Sequence, residues 1–451
     1  MLPVNRLPPE IISSIARCVL DTRTIVSLTH VCRYWRDSII SSPDNWTLIF
    51  NERKNLAALS LERAKAAPLT IHLNVYKLNR EPGFINLLLP HAQNIRSLSV
   101  TSFLTIEELT QALPNLPKSM PNLRSLTLAK SRRADWAQPI DPFDFSAHTL
   151  MDLSLHNIPL YPSFLSLKSL SKLRLVDCHF NLHLDALLDF LEENHSLGSA
   201  SLEIKFAEPS LRRSWRRNPI GNRLQHLSIS CSDTLDGRAL ISSIALRRGA
   251  ALEVYYNSDD LGLTDILSGF SMTHLSNLSS PTFMEYRSYP RRIRLLGQDG
   301  SFLFDGYFSS ENPFQEFPLL PLNSIREFRL EHRAPSIPAE LHLSSFPSLE
   351  VLVIDGGTYN SPLSTVLPSP TSPSSLKTLA FLNFGVTEGF IAELAQFAFN
   401  RKNTTSAPLH RVVILNSSNG QLPSVASVER LRKRVPVVEV MQGRELPEDL
   451  S

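Results

Sequence analysis

Apolar residues recur at helical spacing near the start of the chain. Ile11, Ile12, Ile15 and Ala16 form one stripe, and the segment before them reads Leu-Pro-Pro-Glu. Proline suits the first helical turn, where its missing N–H is not needed, and an acidic residue there interacts favourably with the helix dipole. The pattern therefore predicts a helix that enters at this segment and ends near Asp21.

A second apolar stripe follows, after a further short helix that is predicted to begin near residue 22. Leu28, Val31, Cys32, Trp35 and Ile39 fall at i, i+3, i+4, i+7 and i+11. They form one helix face if the segment is continuous, and two abutting faces if the chain turns near residue 30. Short helices bury little surface when isolated, so we expect the segment to pack against something else.

The order of these residues resembles the F-box. The chain reads LPPEIISSIARCVL, then VCRYWRDSIISSP, then Trp46, in the order of the LPxEI entry, the VCRxWR core and the trailing proline and tryptophan of that motif. Many F-box sequences place an apolar residue directly before the tryptophan, whereas this chain has Asn45. The chain is similar to fungal F-box proteins, which often carry this form near the N-terminus, followed by irregular leucine-rich repeats.

The resemblance implies a partner for the opening segment. An F-box binds a Skp-family linker protein, which joins it to a cullin and a RING protein in an SCF ubiquitin ligase. By resemblance, the residues at or near the linker interface are Leu7, Pro8, Ile11, Ile12, Ile15, Leu28, Val31, Cys32 and Trp35. The other reading is a helical cap on a repeat array, which repeat folds require.

Downstream, apolar residues recur at i, i+3 and i+5 in a series of short segments. Examples are PNLRSLTLAKS, KSLSKLRLVDC and PSLEVLVIDGG, and successive segments mostly begin 20 to 28 residues apart, which is the period of leucine-rich repeats. Each segment predicts a strand with inward-facing leucines, and stretches such as LDALLDFLEEN predict amphipathic helices. No such unit buries its apolar face alone, so we expect a stacked solenoid.

The predicted fold class is therefore α/β: a three-helix F-box followed by an irregular leucine-rich-repeat solenoid, with parallel strands on the concave side and helices and loops on the convex side. The predicted domains are residues 1–50 (F-box), 51–92 (a linker of helices and strands that caps the solenoid) and 93–451 (the solenoid). A regular repeat has Asn or Cys at its ninth position, which only Cys178 provides. We therefore expect uneven curvature.

Two segments interrupt the repeat period. Residues 257–322, approximately, contain RRIRLLGQDGSFLFDGYF, in which two strand-like runs flank Gly-Gln-Asp-Gly. This pattern predicts an inserted hairpin or a broken repeat. Residues 361–375 are rich in serine and proline and predict a surface loop without a core element.

Composition and charge narrow the class of protein. The chain of 451 residues is 42% apolar and has a formal charge of +2, so it can bury a large core, and its net charge does not call for an anionic partner. No apolar run is long enough to span a membrane, and the four cysteines lie far apart without metal-ligand spacing. We expect a soluble protein of the cytoplasm, the nucleus or both, without a metal, a cofactor or a membrane partner.

No catalytic motif is present. The sequence contains no GxGxxG, GxxxxGK[ST], GxSxG or HExxH, and we expect the protein not to be an enzyme. Arginines cluster at residues 211–218, around a tryptophan, and at residues 291–294, a composition that suits nucleic-acid binding. The near-neutral charge and the lack of a recognised nucleic-acid module favour solvated loops or an acidic protein partner.

The remaining candidate for a functional site is a recognition surface, formed by the strand residues between the inward-facing leucines. The strand residues there are small and hydroxylic in the first repeats and carry charge of both signs later, which suits a protein or peptide partner. The candidates for target binding are Asp152, His156, Lys172, Arg174, His226, Glu327, Arg329 and Glu331. Arg174 and Arg329 are the first choices because arginine is enriched among interface hot spots.

These observations predict a substrate-recognition adaptor of an SCF-type cullin-RING ubiquitin ligase. The F-box binds a Skp-family linker, and the solenoid holds an unknown protein target near the ubiquitin-charged enzyme, which raises the effective concentration of the reactants. The alternative is a protein-interaction scaffold that does not act in ubiquitination. A nucleic-acid-binding solenoid is the less favoured third class.

Overall fold

The structure is a computed structural model that describes most of the helices and strands expected from the sequence. The described residues are 7–19, 21–51, 53–81, 83–102, 116, 119–130, 149–160, 162–180, 184–206, 223–231, 240, 244–247, 249–256, 278, 280–288, 291–307, 317, 320–332, 343–356, 373–384, 386–404, 408–416 and 423–442. The arginine cluster at 211–218 lies outside them, as does most of the Ser/Pro segment at 361–375. The chain forms two compact units, Met1–Arg213 and Ser214–Ser451.

The first unit begins with short helices. They are α1 (Pro9–Arg17), α2 (Thr22–Leu28) and α3 (Arg33–Ser41), followed by a 3₁₀ turn at Pro43–Trp46. The second stripe of the sequence therefore turns near residue 30, as one of the two predicted arrangements requires. Asp21 caps α2 by accepting hydrogen bonds from the backbone N–H groups of Arg23 and Thr24, and these bonds lower the pKa of its carboxyl group.

Parallel strands form the rest of the first unit. They are β1 (Leu48–Phe50), β2 (Leu69–Asn74), β3 (Ile95–Ser102), β4 (Ser125–Lys130), β5 (Asp152–His156), β6 (Pro159–Leu160), β7 (Lys172–Phe180) and β8 (Ser199–Phe206). They pair in the order β1, β2, β3, β4, β5, β7, β8, and β6 extends the pairing along β7. The intervening helices are α4 (Lys54–Ala64), α5 (Val75–Arg80), α6 (Phe84–Leu88) and α7 (Leu184–Glu193).

The second unit contains a longer ladder of strands. They are β9 (His226–Cys231), β10 (Ala251–Tyr256), β11 (Phe283–Ser288), β12 (Arg291–Leu296), β13 (Phe302–Tyr307), β14 (Glu327–His332), β15 (Val351–Gly356), β16 (Thr378–Phe384), β17 (Arg411–Asn416) and β18 (Val437–Gln442). Helix α8 (Glu388–Thr404) precedes β17, and helix α9 (Val425–Arg432) precedes β18.

An antiparallel meander interrupts the parallel order of the second unit. The spatial order is β9, β10, β13, β12, β11, β14, and then β15 to β18 in sequence. Strand β12 runs antiparallel to both of its neighbours, and the other pairings are parallel. The runs around Gly-Gln-Asp-Gly form the β12–β13 hairpin, in which Gly300 has a φ of 73°, a conformation that glycine adopts at little cost. The described strands are thus an open, mixed arrangement.

Alternation along each strand places one set of apolar residues in the core. Leu128, Leu155 and Leu175 are fully buried and occupy one continuous row across β4, β5 and β7. Leu330, Ile354 and Phe381 form the equivalent row across β14, β15 and β16 and are also fully buried. Because successive side chains of a strand point to opposite faces, the members of each row lie together on one face of the strands.

Several strand segments have a polar residue just before their first buried residue. The side chain of this residue forms a hydrogen bond to a backbone carbonyl of the preceding segment. Asn122 Nδ2 donates to the Gln93 carbonyl at 2.7 Å, and Thr149 Oγ1 donates to the Leu123 carbonyl at 2.9 Å. Ser169, Ser324 and Ser375 make hydrogen bonds of the same kind. These bonds satisfy backbone carbonyls that precede the neighbouring strand.

Two buried polar side chains complete the turns after helices. Asn194 follows α7, donates to the Leu167 and Phe190 carbonyls and accepts a bond from the Leu170 N–H. Arg401, in the last turns of α8, is fully buried and donates to the carbonyls of Pro373, Ser374 and Leu376. Burial lowers the pKa of the Arg401 guanidinium, and the carbonyls satisfy its N–H groups.

The cysteines differ in environment. Cys178 is buried, which raises the pKa of its thiol to about 12, as expected for a small apolar side chain. Cys18 is exposed at the end of α1, because the helix ends there and turns its last residue outward. No helix in the described ranges is long and apolar enough to cross a membrane.

Replacing Asn194 by alanine is expected to lower the free energy of unfolding of the first unit by about 2–4 kcal/mol, because two carbonyls and one N–H group lose their partners in a buried site. Asn122→Ala is the matched control: it removes one exposed hydrogen bond and should cost less than about 1 kcal/mol. Urea unfolding curves measure both values. Equal costs for the two variants would contradict the role assigned to Asn194.

Candidate functional site

Helix α1 has apolar residues on both its inner and its outer face. Ile12 and Ala16 are fully buried against the following helices, whereas Ile11 is 47% exposed and Ile15 is 38% exposed. Isoleucine gains nothing from contact with water, and an isoleucine pair on one helix face is a feature of surfaces that bind another protein. Helix α1 therefore packs one apolar face into the core between the helices and leaves a second apolar face exposed.

Trp46 anchors the helices through a hydrogen bond and a cation–π contact. Its ring is 1% exposed, its Nε1–H donates to the Ile39 carbonyl at 3.0 Å, and the Arg63 guanidinium of α4 lies 4.3 Å from the ring centre. Asn45 donates to the same carbonyl at 3.2 Å. The residue that departs from the common F-box pattern, Asn45, thus caps α3 together with the tryptophan, because both side chains reach the end of that helix.

Two further exposed residues with apolar surface lie between α2 and α3 and at the start of α3. Val31, in the turn between the two helices, is 56% exposed, and Tyr34 is 37% exposed. The Tyr34 hydroxyl donates to the Leu7 carbonyl at 2.9 Å, which ties the segment before α1 to α3. We call the set formed by Ile11, Ile15, Val31 and Tyr34 the outer apolar face.

The structure divides the residues implied to bind a linker into two groups. Pro8 is exposed like Ile11, Ile15 and Val31, and Leu7, Leu28 and Cys32 are partly exposed. Ile12 is fully buried and Trp35 is 7% exposed, because both point into the core between the helices. These two residues support the outer apolar face rather than form part of it.

The second candidate surface is the side of the strands opposite the core rows, which we call the polar face and describe for each unit separately. In the first unit, one row across the strands reads His72, Ser99, Thr127, Ser154, Arg174 and Ser201. The neighbouring row contains Asp152 beside Lys172. The predicted candidates Asp152, Lys172 and Arg174 therefore lie close together on adjacent strands.

His156 belongs to the same group. Its Nε2 lies 2.9 Å from the Ser154 hydroxyl, and its partial burial, together with the charge of Arg174, lowers its pKa. At neutral pH the ring is therefore uncharged, and the positive charge of this part of the polar face comes from Lys172 and Arg174, both exposed.

In the second unit the polar face carries a row of charged residues of both signs. Glu253, Asp305, Arg294, Glu285 and Arg329 are direct neighbours across β10, β13, β12, β11 and β14. The row then becomes apolar at Val353, Ala380 and Val413, which are buried together with Leu382 and Leu415. Beyond this apolar stretch, Val413 neighbours Glu439, which pairs with Arg411 at 3.0 Å, so the polar face has a second charged part at β17 and β18.

The predicted candidates of this unit all contact a partner side chain. Arg329 pairs with Glu327 at 2.9 Å, Glu331 lies 3.3 Å from Arg287, and His226 Nε2 lies 3.3 Å from Glu253. Alternation along β14 places Glu327, Arg329 and Glu331 on one surface. His226 lies on β9, at the other side of the meander.

Sequence reasoning missed the central residues of this surface. The sequence marked Arg292 and Arg294 only as part of a basic cluster. These two arginines, together with Arg287, Glu285 and Asp305, were not among the target-binding candidates, because the segment was interpreted as an insertion. The signal was present in the alternation Arg-Ile-Arg-Leu at residues 292–295, which places both arginines on one strand face. Arg292 also lies 4.9 Å from the Tyr307 ring, which stacks on Tyr255.

Among the described residues, no group of three His, Cys, Asp or Glu side chains is placed to hold a metal ion. Arg292 bonds Asp305, and Tyr255 lies near Glu253 and Asp305; its burial and these charges raise its pKa to about 12. Such a pKa keeps the phenol protonated, which suits hydrogen bonding to a partner.

The helical segment at the start of the chain matches a known protein family. The F-box-like family matches residues 4–52, a range that contains α1, α2, α3, Trp46 and the exposed residues around them. The chain thus carries an F-box-like domain at these residues. No curated protein matches the chain.

Replacing Arg174 by glutamine is expected to raise the pKa of His156 toward its ordinary value, because the change removes a cation that disfavours the protonated ring. A histidine whose pKa is lowered by folding loses stabilisation as the pH falls through its unfolded pKa, so the variant should also be less sensitive to mild acid. NMR titration of labelled histidines measures the shift. His72, whose pKa is lowered by burial, is the internal control; a His156 pKa that stays unchanged contradicts the assignment.

Proposed function

We propose that the protein is a substrate-recognition adaptor of an SCF-type cullin-RING ubiquitin ligase. The observation that carries this proposal is the outer apolar face, which lies within the detected F-box-like domain. F-box domains generally bind linkers of the Skp family, so this kind of partner fits the apolar chemistry of the exposed residues.

The apolar surface supports a permanent protein partner rather than a solvated cap. Ile11, Ile15 and Val31 together expose much of their side chains, and an interface core is depleted in charge and rich in such residues. On α3, the exposed Arg33 and Asp37 pair with each other.

The strands supply the second half of the proposal. We propose that they form an irregular leucine-rich-repeat solenoid whose polar face holds a protein target. In support, the repeated strand segments pair in parallel with their leucines buried, while the residues between the leucines form polar rows. The adaptor needs no catalytic residue of its own, because bringing the target close to the ubiquitin-charged enzyme is sufficient.

A chain with Ile11→Ser and Val31→Ser is expected to bind a purified Skp-family linker about thirtyfold more weakly than the wild type. Each change removes about 1 kcal/mol of apolar burial at the interface. About half of each residue is exposed, and neither lies in the core between the helices, so the fold should keep its thermal stability. Isothermal titration calorimetry with the full chain measures the affinity.

Val425→Ser is the matched control for this experiment. Val425 is 78% exposed at the start of α9, outside the F-box-like domain, so its replacement should leave the affinity for the linker unchanged. Equal affinity of the double variant and the wild type would show that the linker does not use the outer apolar face. Absence of binding by the folded wild type would refute the adaptor proposal.

A further inference from the structure

The second unit contains an arginine whose hydrogen-bonding capacity is not filled. Arg294 is 29% exposed, and its Nη atoms lie 3.4 Å from Glu285 and 3.9 Å from Asp305. Its Nε is buried and has no hydrogen-bond partner in the described part of the chain. A buried N–H group without a partner costs free energy and calls for an explanation.

The carboxylates beside Arg294 are already engaged elsewhere. Glu285 accepts from Arg287 at 2.8 Å, and Asp305 bonds Arg292 through two oxygens. Arg294 therefore holds the weakest position in this network, because each neighbouring carboxylate has a closer guanidinium. Its planar fork of N–H donors remains suited to a further oxyanion.

A groove of about 610 Å³ opens beside this arginine. Its lining includes Arg326, which is exposed at the entry to β14 and has no ion pair in the part of the chain that the structure describes, as well as Arg287 and Arg329. The carboxylates in the lining are Glu285 and Glu327, which bond Arg287 and Arg329. The unbalanced charge of the groove therefore comes from Arg294 and Arg326.

The same groove has an apolar wall. Phe283 and Leu296 line it, they face each other across the β11–β12 pair, and the Arg329 guanidinium lies 5.3 Å from the Phe283 ring. An arginine held over an aromatic ring gives a rigid surface that loses little entropy on binding. A ligand that fits must therefore combine an anionic group with an adjacent apolar one.

We propose that this groove binds a peptide segment of the target through an oxyanion-bearing side chain, a carboxylate or a phosphate, placed next to an apolar residue. Arg294 and Arg326 contact the oxyanion, and Phe283 and Leu296 contact the apolar neighbour. The proposal rests on the proposed function, since it assigns the target site of the adaptor. It names the chemistry that the polar face of the second unit selects.

The test uses three pools of short synthetic peptides with randomised flanks that include apolar residues. The central residue is glutamate in the first pool, phosphoserine in the second and glutamine in the third. Each pool is passed over the immobilised full chain, and the retained peptides are quantified by mass spectrometry. We expect at least tenfold higher retention of one or both anionic pools than of the glutamine pool, with apolar residues enriched beside the centre.

The variants R294Q and R326Q are expected to reduce that preference at least tenfold and fivefold, respectively. R432Q is the matched control, because Arg432 is half-exposed on α9 and pairs with Glu429, away from the groove. R326Q keeps the test interpretable if R294Q disturbs folding, because Arg326 is exposed. Equal retention of the three pools by the wild type, or an unchanged preference in R326Q, would overturn the proposal.

Retention of the glutamate and phosphoserine pools identifies which oxyanion the groove prefers. Linker affinity is measured on the same protein samples, so the two proposals fail separately. Normal linker binding without discrimination among the pools removes the peptide site and leaves the adaptor function standing. Discrimination without linker binding leaves the peptide site and removes the adaptor.

Discussion

The parallel strands depend on mutual cover of their inward apolar rows. Leu155 is fully buried because Leu128 and Leu175 flank it on the neighbouring strands, and no strand of this length buries such a residue alone. The core therefore fixes the inward positions. The exposed outward positions can vary without loss of the fold, unlike the outward Val353, Ala380 and Val413, which form a buried cluster of their own. This separation allows one side of the strands to hold the chain together and the other side to carry charge and aromatic residues for recognition.

The helices before the strands show the opposite arrangement. Ile12 and Trp46 build a small core, yet Ile11 and Val31 remain uncovered on the outside. Within the fold this exposure stabilises nothing, and contiguous exposed apolar surface is typical of regions that bind another protein. These helices lie in the detected F-box-like domain, whereas the strands that follow them have polar rows on one face.

Much of this arrangement was predictable, because helical and alternating periods are local properties of a sequence. The helices, most strands and the hairpin around Gly297–Gly300 follow from such periods. The order of β10 to β14 was not predictable, because pairing partners depend on contacts between distant segments; the pairing of Arg292 with Asp305 was missed for that reason. The side-chain bonds of Asn122 and Thr149 were missed as well, since a search at the ninth repeat position overlooks donors at the strand entry.

The most direct measurement of the central claim is assembly of the purified full chain with a Skp-family linker and a cullin, followed by light scattering on a gel-filtration column. The account predicts a single species with the mass of one copy of each protein, and it predicts that the cullin joins only when the linker is present. A complex of the chain and linker that leaves the cullin in a separate peak would contradict the ligase role and indicate an interaction scaffold. Failure of the folded chain to bind even the linker would contradict the account as a whole.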